Sequence, residues 1–229
     1  MMSHRPRVAG LEVLDQQVSQ TSPAQATAAD PVLQAAYDSI MEVGLRRTTM
    51  VDVARRAGVS RMTIYRRYDD LSRLLSELLT VELGSVMTAA RDSTKDLPDA
   101  RQRLTHTVTR TVAVLIGHPL LTKILAVDPE VLIPFMVDRL GTTQRLAIDE
   151  LRRFVAAGQP ESGDGSIRSG DADAMALTIL GFAQSLVFSA RAFIATDPGG
   201  GIYPELEILT FAYLDPRAAG TTERSHRDA

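Results

Sequence analysis

The chain of 229 residues has no cysteine and no tryptophan, and its only lysines are Lys95 and Lys123. Without cysteine there is no disulfide, no thiolate nucleophile and no thiolate ligand for zinc. The four histidines, His4, His106, His118 and His226, do not recur at metal-ligand spacing, and Asp164 to Asp173 follows no calcium-loop pattern. Neither a metal nor another cofactor is therefore expected. Long apolar runs are also missing. The longest uncharged stretch, Ala174 to Ala190, contains Thr178, Gly181, Gln184, Ser185 and Ser189. It reads as a buried core helix, because a membrane span prefers about 20 strongly apolar residues. Val8 to Val18 is interrupted by Glu12 and Asp15, so no secretory signal is expected. These absences point to a cytoplasmic protein with no membrane partner. Enzymatic signatures are lacking too: there is no Gly-x-Ser-x-Gly elbow, and Gly163-x-Gly165 has neither a third glycine nor a preceding strand.

What is present is a local excess of positive charge. Residues 44–75 hold eight Arg and three Asp, a net +5 in a chain whose formal charge is −3, so the remainder sums to −8. A basic island in an acidic chain points to one polyanion contact rather than to a generally sticky surface.

Periodicity yields helices and no convincing strand. The expected fold class is all-α with about nine helices: an N-terminal three-helix helix-turn-helix domain, then a C-terminal helical domain. The expected organisation is a disordered tail over 1–29, a helix-turn-helix domain over 30–78, a helical domain over 79–215, and a polar tail over 216–229. His4, Arg5 and Arg7 could touch DNA as an arm; an untethered terminus is the plainer reading. Asp30-Pro31 opens the first helix, with Leu33, Ala36, Tyr37, Ile40 and Val43 at helical spacing. Thr49 begins a second helix, Gly58 ends it, Ser60 caps a third, and Asp69 or Asp70 caps a fourth that runs to about Ala90. Leu71, Leu74, Leu75, Leu78 and Leu79 form its apolar stripe. A fifth helix follows Leu97-Pro98-Asp99, and a short one follows His118-Pro119. Asp128-Pro129-Glu130 opens a helix reaching Ala157, and the glycine-rich stretch 158–170 reads as a flexible loop. Two more helices follow, one from Asp171 to about Thr196 and a last one from Tyr203 to about Leu214.

Two short helices joined by one glycine turn, the second rich in Arg, Thr and Tyr, make a helix-turn-helix DNA reader. Ile64 and Tyr68 should pack inward. Arg61, Met62, Thr63 and Arg66 then face the groove, where Arg can grip the guanine O6/N7 edge and Thr or Met can lie against a thymine methyl. Arg61 is the first candidate for base specificity, Arg66 the second.

The run Thr48-Thr49…Asp52-Val53-Ala54…Ala57-Gly58-Val59-Ser60…Ile64-Tyr65…Tyr68…Leu74-Leu75 resembles the DNA-binding domain of the tetracycline-repressor (TetR) family. The resemblance covers residues 31–80. It implies that Thr49, Tyr65 and Arg67 meet phosphates and that Ser60 sits with them at the interface. Two positions depart from the pattern. Tyr68 replaces the usual Phe and is expected with its hydroxyl near the surface. Leu71 replaces a frequent Lys, which removes a phosphate contact that Arg67 or Arg73 would take over.

The resemblance further implies that 30–78 is the DNA-binding domain and 79–215 a ligand-sensing, effector-binding and dimerisation domain. It thus implies a homodimer that reads a palindromic operator and is released by a small effector bound in the second domain. One helix-turn-helix rarely binds tightly enough alone, so paired half-sites about 34–36 Å apart are the expected target. Thr178, Gly181, Ser185, Ser189 and Ala192 put small residues along one face of the eighth helix. With Leu206, Leu209 and Tyr213 of the last helix they are the dimer-interface candidates. The effector pocket candidates are apolar: Leu104, Val108, Leu115, Leu121 and Phe135, then Met136, Leu140, Phe182 and Phe188. They suggest a lipophilic ligand. His118 could mark the pocket mouth, or be an exposed imidazole at a proline-started helix. His106 falls on a polar stripe with Asp99, Arg103 and Arg110, a solvated face. The resulting expectation is a ligand-responsive repressor. The alternative is an architectural DNA-binding protein without effector, which would need a wider basic surface than this chain has.

Overall fold

The computed structural model describes residues 27–134, 140–196 and 201–220. Among them lie nine complete α-helices and two short 3-10 turns, with no strand. The first four are α1 (Pro31–Val43), α2 (Met50–Arg56), α3 (Arg61–Arg67) and α4 (Leu71–Asp92). Each start is set by a side chain that accepts amides otherwise left unbonded. Asp30 accepts from Val32 and Leu33, Thr49 from Asp52, Ser60 from Thr63, and Asp70 from Arg73. Gly58 has φ +69°, a left-handed conformation that L side chains rarely adopt, and it turns the chain from α2 into α3. The arm candidates His4, Arg5 and Arg7 lie outside the described residues. The described chain begins before Asp30: Thr27 is buried and its carbonyl accepts the Asp30 N–H.

The second half comprises α5 (Ala100–Ile116), α6 (Pro119–Val127), α7 (Thr142–Gly158), α8 (Ala172–Thr196) and α9 (Ile202–Tyr213). The helix expected from Asp128 to Ala157 is instead broken. Pro129–Val131 is a single 3-10 turn, and α7 starts only at Thr142. Gly141 interrupts the pattern, and its N–H is taken by the Gln144 side chain at 2.7 Å, which caps a new helix. Residues 158–170 are also not a loose loop. Ile167 is fully buried and donates its N–H to Gly158, while the Asp164 carboxylate accepts the Ala100 N–H at 2.8 Å. The buried Ile167 and the Asp164 carboxylate at the surface hold the segment across the start of α5.

Helix α5 is the hub, packing on α4, α7, α8 and α9. One apolar cluster runs without a break from the reader helices (Ile40, Val53, Ile64, Leu74) into α6 (Leu120, Ile124). A second gathers Leu104, Val155, Ile167 and Met175. Residues 172–190 are long and apolar enough by composition to cross a membrane. In the structure Met175, Ile179 and Val187 of this segment are buried in the protein, whereas Leu177, Gly181 and Ser185 are exposed.

Candidate nucleic-acid interface and effector cavity

Ile64 and Tyr68 are both buried, and they orient α3. The face opposite them carries Arg61, Met62, Thr63, Tyr65 and Arg66, all exposed, with Met62 at 79%. Ser60 and Thr49 are exposed at the starts of their helices, their hydroxyls already accepting a backbone amide. Several arginines around this face are committed to acids: Arg55 to Asp52, Arg56 to Glu42, and Arg46 to Glu130. Arg61, Arg66 and Arg73 have no acidic partner among the described residues. Their charge is open to an outside anion.

Arg67 is placed differently. It pairs with Asp30 ahead of α1 and with Glu77 on α4, and lies over the Tyr68 ring at 4.9 Å from its centre. It ties three helices together, so any phosphate would compete with two carboxylates for it. Arg73 is therefore better placed to supply the contact missing at Leu71. The Tyr68 hydroxyl reaches toward the surface, where it meets the half-exposed Glu77. The ring is buried, and the hydroxyl donates to Glu77 at 3.0 Å. Burial and that hydrogen bond both push the phenol well above its usual range.

Burial tends to raise the Asp30 carboxyl, but the Arg67 hydrogen bond, the Val32 and Leu33 amides and the Arg67 charge together lower it. A folded-state value below the unfolded one adds stability above about pH 4 and loses it as pH falls through the lowered value. Replacing Asp30 with asparagine should therefore lower the thermal midpoint at neutral pH. The gap from the native chain should shrink on acidification, and a gap that stayed constant in a pH series would refute this.

A partly open cavity of about 180 Å³ lies between α4, α5, α6, α7 and α8. Of the sequence candidates, Val108, Leu115, Leu121 and Phe188 line it. Leu104 sits in the second apolar cluster instead, and Phe182 packs edge-on against Tyr213 with ring centres 6.0 Å apart. Leu140 is exposed, and Phe135 and Met136 lie outside the described residues. His118 is neither at the mouth nor exposed. It is fully buried, its Nε2 3.4 Å from the Glu82 carboxylate on α4. His106 is half-exposed, 3.8 Å from Glu207, in keeping with a solvated stripe.

On the proposed dimer face, Gly181, Ser185, Ala192 and Leu209 are exposed, and Thr178 and Ser189 partly so. Leu206 is buried within the subunit, and Tyr213 is occupied by Phe182 and by Arg168. The exposed apolar side chains here also include Leu177, Ile208 and Phe211, at positions not expected from the small-residue pattern.

Three features escaped the sequence reading. Asp128, buried at the end of α6, accepts the Leu45 amide at 2.8 Å and the Arg46 amide at 3.4 Å, gripping the turn between α1 and α2. Glu82 pairs with His118, and Gln144 bonds to Gln184 across the cavity wall at 3.0 Å. Asp128 carried a signal only as a helix-opening residue.

Residues 32–78 match the family model described as bacterial regulatory proteins, tetR family. An uncharacterized HTH-type transcriptional regulator of Mycobacterium tuberculosis is 32% identical over 162 residues, 69% of this chain and 79% of that protein. The chain belongs to the TetR family. This TetR-family transcriptional regulator has the fold of the AlkX repressor from a Dietzia species, with a TM-score of 0.58 at 19% identity over 85% of this chain and 96% of that one. FadR from Bacillus subtilis is similar over 81% of this chain and 96% of its own, with a TM-score of 0.52 at 17% identity. TetR-family regulators bind DNA and small-molecule ligands, typically as dimers.

Proposed function

We propose that this regulator is a cytoplasmic repressor that binds a palindromic operator as a homodimer and is released by a small lipophilic effector. The observation that carries the reading is the pairing of two features on one apolar core. Arg61 and Arg66 stand exposed and unpaired on α3, while an apolar cavity lies against α4, the helix that also packs on α1 of the reader. A ligand that favours one placement of α4 would shift the population between forms whose recognition helices do and do not suit adjacent half-sites. Among similar folds, the Bacillus subtilis FadR structure holds stearoyl-CoA, and AlkX is implicated in n-alkane biodegradation. Both compounds carry long apolar chains, which supports a lipophilic ligand here. The exposed apolar surface of α8 and α9, with Gly181 open to an approaching helix, supports the dimer seam.

Selection of bound duplexes from a random library, with the full chain at physiological salt, tests the reading. Enrichment of one palindrome is expected. Binding that merely fades with salt and enriches nothing would favour an architectural role. Arg61→Ala should cost about 1–3 kcal/mol on the selected site and relax one base position. Full affinity with full discrimination in that variant would remove Arg61 from base reading.

A further inference from the structure

The cavity wall fixes the direction of one hydrogen-bond chain. A backbone N–H can only donate, so the Gln144 side-chain atom 2.7 Å from the Gly141 nitrogen must be its oxygen. The other end of that amide is then the nitrogen, and it donates to Gln184 at 3.0 Å. The Gln184 atom receiving it must be oxygen in turn. The Gln184 amide nitrogen is left with two N–H donors and no partner among the described residues, on a side chain that lines the cavity. The hydroxyls of the wall are less directive, since each can turn to donate or accept. Several already have a partner: Thr107 shares 2.9 Å with Thr94, and Thr143 shares 3.2 Å with Thr80.

Charge is arranged to discourage an anion. No described lining residue is Lys, Arg or His, and the one ionisable group on the wall is the Glu150 carboxylate. That carboxylate is engaged by Arg153 at 2.6 Å and Arg91 at 3.4 Å. A ligand carboxylate or phosphate would enter an apolar space without a counter-ion among the described lining residues, and so without compensation for its lost hydration.

We infer that the ligand of this cavity is an uncharged lipophile carrying one acceptor oxygen, such as an ester, ketone or amide carbonyl, read by the Gln184 amide. The inference rests on the proposal that the cavity is the effector site. The aliphatic walls contributed by Leu79, Leu83, Leu115 and Val187 hold the apolar body, and the spare amide selects the oxygen.

Displacement of the neutral dye Nile red from the full chain by methyl decanoate, decanoate and undecane tests it. Methyl decanoate should displace the dye at a concentration roughly fivefold below undecane, the size of one neutral hydrogen bond. Decanoate should be the weakest of the three. Gln184→Leu should erase the ester's advantage and leave undecane unchanged. Gln184→Glu, of the same size but without the donor, should also erase it. If either variant kept the ester preference, or if decanoate matched the ester, the inference would fall while the cavity stood as a lipophile site. If Nile red bound and none of the three displaced it, the effector reading of the cavity would fall as well.

Discussion

Replacing His118 with leucine should destabilise the protein by about 3–5 kcal/mol, because it leaves the Glu82 carboxylate buried without a counterpart. Both side chains are fully shielded from solvent, and none of their four nitrogen and oxygen atoms has a hydrogen-bond partner among the described residues. Their mutual contact at 3.4 Å is all that offsets the loss of water. Glu82 also sits near Tyr37 of α1, whose hydroxyl is raised first by burial and then by the Glu82 charge. Converting the pair together, Glu82→Met with His118→Leu, should restore stability to the native level or exceed it, since a well-packed apolar pair avoids the desolvation cost. Urea unfolding of the native chain, the two single variants and the double variant closes the cycle. A double variant as unstable as the sum of the singles would show that the two groups do not act as a pair. Should the double variant fold well yet respond less to effector, the pair's role lies in relaying the signal. It joins α4 to the α5–α6 junction, and α4, α5 and α6 all line the cavity.

Asp128→Ala is expected to cost about 3 kcal/mol and to weaken the link between the α1–α2 turn and α6. The carboxylate is buried and takes the Leu45 amide at 2.8 Å, with Arg46 also nearby through its side chain at 3.7 Å. Without it, the Leu45 N–H is left in a closed apolar setting, and the turn after α1 is no longer held to α6. The turn cannot simply shift. Gly44 sits there at φ +85°, and a Cβ added to it would lie 3.1 Å from Val127 and 3.2 Å from the Asp128 carboxylate. Because Leu121 of the same helix lines the cavity, the clamp would couple a ligand in the proposed effector site to the reader through α6. The variant should unfold at lower urea, bind operator more weakly and show a smaller effector response. An unchanged midpoint with an unchanged response would show that the clamp does neither job.

Local chemistry was readable along the chain. Asp30, Thr49, Ser60, Asp70 and Asp99 each accept amides two or three residues ahead, so helix starts followed from residue type and spacing alone. The glycine turn and the two inward residues of α3 likewise set its exposed face, because helical geometry ties every other position to them. Where local signals were weak the reading failed. Asp128-Pro129 opens a turn as readily as a helix, and Gly141 with Gln144 was not recognised as a second start.

The second domain depends on distances that no local pattern encodes. Val108 and Leu104 are one turn apart on α5 and share one apolar cluster, yet only Val108 also reaches the cavity wall. Both side chains are apolar; how neighbouring helices cross decides whether a gap is left beside one and not the other. The Asp128 clamp spans 83 residues and the Glu82–His118 pair joins separate helices, and in each the partner is chosen by packing. Caps and turns were legible because their partners are held within a few bonds by the backbone itself. Cavity, clamp and buried pair were not, because they exist only once the helices have docked and water has been excluded from between them.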